Sequence, residues 1–162
     1  MGTTIADKVA SLGLTLPAPS MPAGNFVPTV QVGRTLHIAG QGPRIDGKVI
    51  HAGKVGVDLS VEQGRVAAEL CALNLLAHLC AACDGELSRV ARAVRLCGVV
   101  NSLPDFLDHG KVLNGASDLL YAVLGEKGLH VRMATGAVSL PLNFAVEIEA
   151  SFELAEPAPG AA

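Results

Sequence analysis

The sequence predicts an α+β fold in a single domain, on three observations. The last strand alternates strictly: Phe144, Val146, Ile148, Ala150 and Phe152 interleave with Ala145, Glu147, Glu149, Ser151 and Glu153, the period of a half-buried strand. Two longer stretches instead repeat apolar residues at helical spacing. The elements also follow the order helix, strands, helix, strand, helix, two strands. Two long helices can cover only one face of such a sheet; the other needs burial elsewhere, and association of subunits is the simple solution. The 162 residues suit one domain.

Thr3 to Leu14 reads as a short amphipathic helix with Ile5, Val9 and Leu12 on one side. Leu16 to Gly24 holds three of the nine prolines and is an extended connector. Val27–Val32 and Thr35–Ala39 are strands joined at Gly33-Arg34, and Val49–His51 is a short third strand after the Asp46-Gly47 turn. Ser60 and Gln63 form a capping box that starts a long helix ending near Cys83. Its apolar positions are Val66, Leu70, Leu73, Leu76, Leu79 and Cys80. Val90–Val100 is a strand. A second helix runs to about Leu124 on a stripe of Val112, Ala116, Leu119, Leu120 and Val123, with Gly125 as its stop. Val131–Val138 is a strand, and Ser139–Leu142 turns into the last one. Residues 1–23 are thus a helix and connector, 24–154 the domain, and 155–162 a Pro/Gly/Ala tail expected to be disordered.

Composition removes several function classes. Net charge is −3, with one Tyr, four Phe and no Trp. This lacks the basic surface and stacking rings of a nucleic-acid binder. The most apolar run, Val66 to Cys83, is interrupted by Glu69, Asn74 and His78, so no membrane span is expected. The chain opens without a basic start and apolar stretch, and a cytoplasmic location is expected. Cys71, Cys80, Cys83 and Cys97 read as reduced thiols. Cys80-Ala-Ala-Cys83 falls late in a helix and serves as apolar filler. The five histidines have no ligand spacing, and no phosphate loop or dinucleotide fingerprint is present. Half the chain is hydrophobic but only 3% aromatic, and mean hydropathy is +0.44. An apolar mass of Ala, Val and Leu on this scale is consistent with subunit contacts.

Four stretches together resemble the RidA/YjgF family. They are Phe26-Val27 followed by Gly40-Gln41-Gly42-Pro43; Asn114 in the second long helix; Arg132, eight residues before Leu140; and the closing Val146-Glu147-Ile148-Glu149. The resemblance spans residues 24 to 154, and the leading helix is similar to that of a longer subgroup. It implies a chorismate-mutase-like α+β fold and a homotrimer with ligand clefts between subunits. The implied activity is hydrolytic deamination of reactive 2-enamine or 2-imine acids such as 2-aminoacrylate, giving a keto acid and ammonia without cofactor or metal. A non-catalytic trimer that binds small carboxylates is the alternative. An RNA-cleaving role, also attached to the family, is disfavoured by the acidic balance.

Arg132 lies between Val131 and Met133, where a guanidinium needs an anionic or hydrogen-bonding partner. An ion pair with Glu147 or Glu149 would meet that need. So would a substrate carboxylate, which the planar fork matches bidentately, and the resemblance favours the carboxylate. It also implies that Glu147 orients water and moves protons, a role requiring one carboxylate within reach. Gly40 would bring backbone groups to the ligand, and Phe26, Asn114 and Ala134 would line it. Phe26 stands where many members carry Tyr, and Ala134 where many carry Cys.

Overall fold

A computed structural model of the chain describes residues 2–156. Thr4 caps helix α1 (Ile5–Ser11) through a reciprocal box with Asp7. The sequence had placed that helix over residues 3–14; the cap shortens its start and Gly13, at φ +76°, follows its end. Ile5 and Val9 are fully buried and join the same core as the rest of the domain.

Strands β1 (Thr29–Val32) and β2 (Thr35–Gln41) form the expected hairpin. The expected strand at Val49–His51 is instead a two-residue strand β4 (Lys48–Val49) paired with β3 (Arg44–Ile45), a small ribbon outside the main sheet. Helix α2 (Val61–Ala82) begins at the predicted capping box: Ser60 Oγ accepts from Gln63 N at 3.1 Å, and Gln63 Oε1 accepts from Ser60 N at 2.8 Å. Strand β5 (Val90–Asn101), helix α3 (His109–Leu124), β6 (Val131–Ala137) and β7 (Val146–Leu154) follow.

The main sheet has strand order β1-β2-β7-β5-β6, with β5 and β6 parallel and the other pairs antiparallel. Helices α2 and α3 cover one face. Leu36, Ile38, Leu96, Val100, Ile148, Ala150 and Phe152 point into that core. The opposite face carries Val30, Val32, Val131 and Met133, exposed by 49%, 65%, 68% and 44%. Val30 and Val32 lie at the β1 edge of that face and Val131 and Met133 at the β6 edge, with β2, β7 and β5 between them. Ala155 and Glu156 extend the ordered chain past β7: Ala155 N donates to Arg89 O at 2.8 Å, and Glu156 lies 3.7 Å from Arg34. The rest of the expected tail, 157–162, lies outside the described residues.

Helix α2 departs from the stripe that its sequence predicts. Val66 is exposed, while Cys71 to Leu79 are all buried. The helix is enclosed by the sheet, α3, α1 and the β3–β4 ribbon. By length and apolarity alone α2 could cross a membrane, but 61% of its most apolar window is buried within the fold. Asn74 is satisfied inside: the two hydrogens of its Nδ2 are shared among Gly42 O, Arg44 O and Leu70 O, which lie at 3.1, 3.0 and 3.1 Å. Burying an amide without such bonds would cost several kcal/mol, on the order of 2–7.

Helices α2 and α3 touch at Gly115. A Cβ there would lie 2.0 Å from the backbone oxygen of Arg65, and backbone cannot rotate aside as a side chain can. Gly115→Ala is therefore expected to destabilise the fold by roughly 1–3 kcal/mol, read as a lower midpoint in urea unfolding.

Candidate functional site

Strand β2 contains an irregularity where the site forms. Ile38 pairs with Ala150, but Gln41 pairs with Ile148. Three steps on β2 thus match two on β7, which is a β-bulge at Ala39-Gly40. The bulge turns Gln41 inward, where it is buried, and brings Gly40 beneath the side chain of Glu147. A Cβ at Gly40 would lie 2.7 Å from Glu147 Oε1. Only glycine leaves room for the carboxylate to rest there.

Glu147 is half-buried on the open face of the sheet, in a cleft of about 350 Å³. The cleft walls include Met21, Phe26, Gly40, Arg44 and Phe144. Burial raises the Glu147 pKa above the ordinary glutamate value, and the charge of Arg44 opposes that rise. The Arg44 guanidinium itself lies 5.8 Å from the centre of the Phe144 ring. The connector closes one side. Ser20 Oγ donates to Gln41 Oε1 at 2.9 Å and lies 3.4 Å from Nε2 of the buried His78.

Arg132 stands elsewhere. It pairs in register with Leu96, and Leu96 pairs with Ala150, both core residues. Side chains in register share a face, so Arg132 is on the helix side of the sheet, while Glu147, paired with Val99, is on the other. Helix α3 receives the guanidinium: Nη1 donates to Asn114 Oδ1 at 2.9 Å and to Ser117 Oγ at 3.0 Å, and Nη2 donates to Gly110 O at 3.3 Å. Among the described residues these partners include no carboxylate, so neither Glu147 nor Glu149 is its counter-ion. Of the five guanidinium N–H groups, the Nε–H and one Nη2–H are uncommitted. Arg132 borders a second cleft of about 420 Å³ with Ser117, Tyr121 and His130.

Six residues were expected to meet at one site. The chain gathers Phe26, Gly40 and Glu147 at the first cleft, and Arg132 and Asn114 at the edge of α3. Ala134, two residues along β6 from Arg132, packs against the core on the same side. Arg44, Ser117 and His130 were not anticipated. Ser117 carried a signal, since it follows Asn114 by three residues and shares its helix face. Arg44 carried none, because its place near Glu147 in the cleft wall comes from tertiary structure alone. Among the described residues no group of three or more His, Cys, Asp or Glu could hold a metal ion.

The raised pKa of Glu147 has a sign that stability can read. A carboxylate penalised by burial favours the folded state when protonated and disfavours it when ionised. This contribution is fully present below the ordinary glutamate value and is lost as pH rises through the higher folded value. Glu147→Gln lacks the loss. Its melting temperature is expected to exceed that of the unaltered protein at pH 8, and the advantage should vanish near pH 4; equal melting temperatures at both would contradict the assignment.

Comparisons with known proteins agree with this architecture. The YjgF/chorismate mutase-like family model matches residues 6–154. Protein TCP17 of Trypanosoma cruzi is 43% identical over 151 residues, covering 93% of this chain and 94% of that protein. An Agrobacterium tumefaciens protein of unknown function has a crystal structure with TM-score 0.87 at 44% identity, over 93% of this chain and 92% of that one. A candidate endoribonuclease of Shewanella oneidensis gives TM-score 0.89 at 39% identity, over 93% and 99% of the two chains. At 18% identity and TM-score 0.59, over 86% of this chain and 94% of its own, Escherichia coli TdcF with bound serine shares the fold. A match over nearly the whole chain, leading helix included, and two close structural relatives lead to one conclusion: this chain belongs to the RidA/YjgF family.

Proposed function

We propose that the protein hydrolyses small 2-imino acids, formed from their 2-enamine tautomers, to the keto acid and ammonia. The site is built from two copies of the chain within a homotrimer. One observation carries the reading: Arg132 and Glu147 lie on opposite faces of one sheet. A reaction using both takes Arg132 from one protomer and Glu147 from its partner. The sheet face that the helices leave uncovered, with exposed valines at both edges, supports such association, and so does family membership. The serine held by TdcF, a relative in fold, is of the size this reading requires.

The chemistry asks little of the protein. The two free N–H groups of Arg132 grip the substrate carboxylate as a fork. Glu147, its pKa raised toward neutrality by burial, accepts a proton from a water molecule as the water oxygen bonds to C2 of the imine. The imine nitrogen takes up a proton, giving a carbinolamine. Its hydroxyl proton then passes to solvent, replacing the one that the nitrogen drew from solvent, as the C–N bond breaks, and the amine departs as ammonia with a proton returned from Glu147. The bulge at Gly40 keeps the carboxylate in place throughout, so the rate gain comes largely from positioning.

The test is pyruvate release from 2-aminoacrylate generated in situ. Arg132→Ala is expected to raise KM by roughly 10–100-fold, and Glu147→Gln to lower kcat by roughly 10²–10⁴-fold. Gly40→Ala should lower kcat without loss of fold, because it displaces Glu147. Co-refolding Arg132→Ala with Glu147→Gln in equal amounts should restore about a quarter of the unaltered activity, since one in four random interfaces then holds both groups. No restoration would rule out a shared site. Keto-acid binding that depends on Arg132, without acceleration, would reassign the protein as a binding module.

A further inference from the structure

We propose that Ser117 and His130 form a relay that fixes the guanidinium of Arg132 for carboxylate capture. Both are then positioning residues of the reaction, an inference that rests on the reading of Arg132 as the carboxylate anchor.

The direction of each bond follows from what its ends can do. His130 Nδ1 lies 2.7 Å from Gly128 O. A carbonyl oxygen only accepts, so Nδ1 carries the proton, and in the neutral ring Nε2 presents a lone pair. Ser117 Oγ is 3.1 Å from Nε2, and its hydroxyl therefore donates to the ring. With that hydrogen turned toward His130, the oxygen offers a lone pair to Arg132 Nη1 at 3.0 Å. The chain Gly128 O, His130, Ser117, Arg132 has one polarity from end to end.

Its far end is anchored. Gly128 is buried, and a Cβ there would lie 2.4 Å from Leu120 O, so the backbone holding His130 is pressed against α3. At the near end, Gly110, Asn114 and Ser117 are spaced by four and three residues and present three acceptors from one face of α3. The neighbouring Asp118 is engaged by Arg65 at 2.6 Å, and Tyr121 is exposed beside it. A long, exposed arginine ordinarily loses rotamer freedom when it binds a ligand. Here that freedom is already removed, and the two free N–H groups are held in one orientation.

An effect of this kind acts equally on ground and transition states, so it belongs in KM and in ligand affinity rather than in kcat. The experiment measures pyruvate binding by calorimetry and 2-aminoacrylate kinetics on the full chain. Ser117→Ala is expected to raise Kd and KM by about tenfold with kcat nearly unchanged, while Ser117→Thr, which keeps the hydroxyl, stays close to the unaltered protein. His130→Leu should raise Kd several-fold, and His130→Gln, whose Oε1 can accept, should recover most of it. Because His130 acts through Ser117, the double variant Ser117→Ala/His130→Leu should bind no worse than Ser117→Ala alone. Additive losses would overturn the relay. So would a side-chain nitrogen NMR spectrum showing neutral His130 protonated at Nε2, a readout that needs no ligand. If Arg132→Ala loses pyruvate binding while the Ser117 and His130 variants do not, the anchor stands and the relay is wrong. If Arg132→Ala binds pyruvate as tightly as the unaltered protein, the anchor itself falls, and the relay with it.

Discussion

Successive residues of a strand point to opposite faces of a sheet, and that rule decides where chemistry can happen in this molecule. The helix side is filled by α2 and α3 except at the β6 edge, where α3 holds Arg132 instead of covering it. The other side is open, and Glu147 projects there. No rotamer change carries a side chain through the sheet. One copy of the chain therefore holds Glu147 and Arg132 at two separate clefts, on opposite faces of the sheet. On the open face Val30 and Val32 at the β1 edge, and Val131 and Met133 at the β6 edge, leave apolar side chains exposed.

Within the first cleft, local irregularity matters more than regular structure. The bulge at Ala39-Gly40 interrupts the ladder of β2 with β7 next to Glu147. It removes a side chain where the carboxylate must lie and turns Gln41 inward, where its Nε2 donates to Ala39 O at 3.1 Å and its Oε1 accepts from Ser20. Nearby, Leu142 and Asn143 adopt positive φ values of 53° and 56° in the turn before β7. Buried Asn101 braces that turn through Asn143 Oδ1 and Phe144 O at 3.2 and 3.1 Å. Backbone strain and burial thus lie close to one carboxylate whose pKa burial raises above its ordinary value.

Much of this was legible in the sequence where a single physical rule dominates. The capping box at Ser60, the alternation of β7 and the stripe of α3 each follow from local periodicity, and each is found. The stripe of α2 was misread because its helix is enclosed on nearly every side, a property of tertiary packing that periodicity cannot report. The β3–β4 ribbon was missed because two-residue strands have no period to detect. Among the site residues, Arg132 and Glu147 stood out as charges in apolar strands, but their separation depends on register across β5, which pairs both strands. Arg44 and the Ser117–His130 pair depend on chain reversals that bring distant residues together.

The connector between α1 and β1 separates the shape of the Glu147 cleft from the scaffold that holds it. Ser20 to Gly24 wall the Glu147 cleft without supplying a strand to the sheet or a residue to the buried centre of the domain. Replacing Met21 or Pro22 alters the shape of the cleft, while Glu147 and the β-scaffold stay as they are. Cleft shape and foldability are thereby written in separate parts of the chain, and a substitution at Met21 or Pro22 reaches the first at little risk to the second.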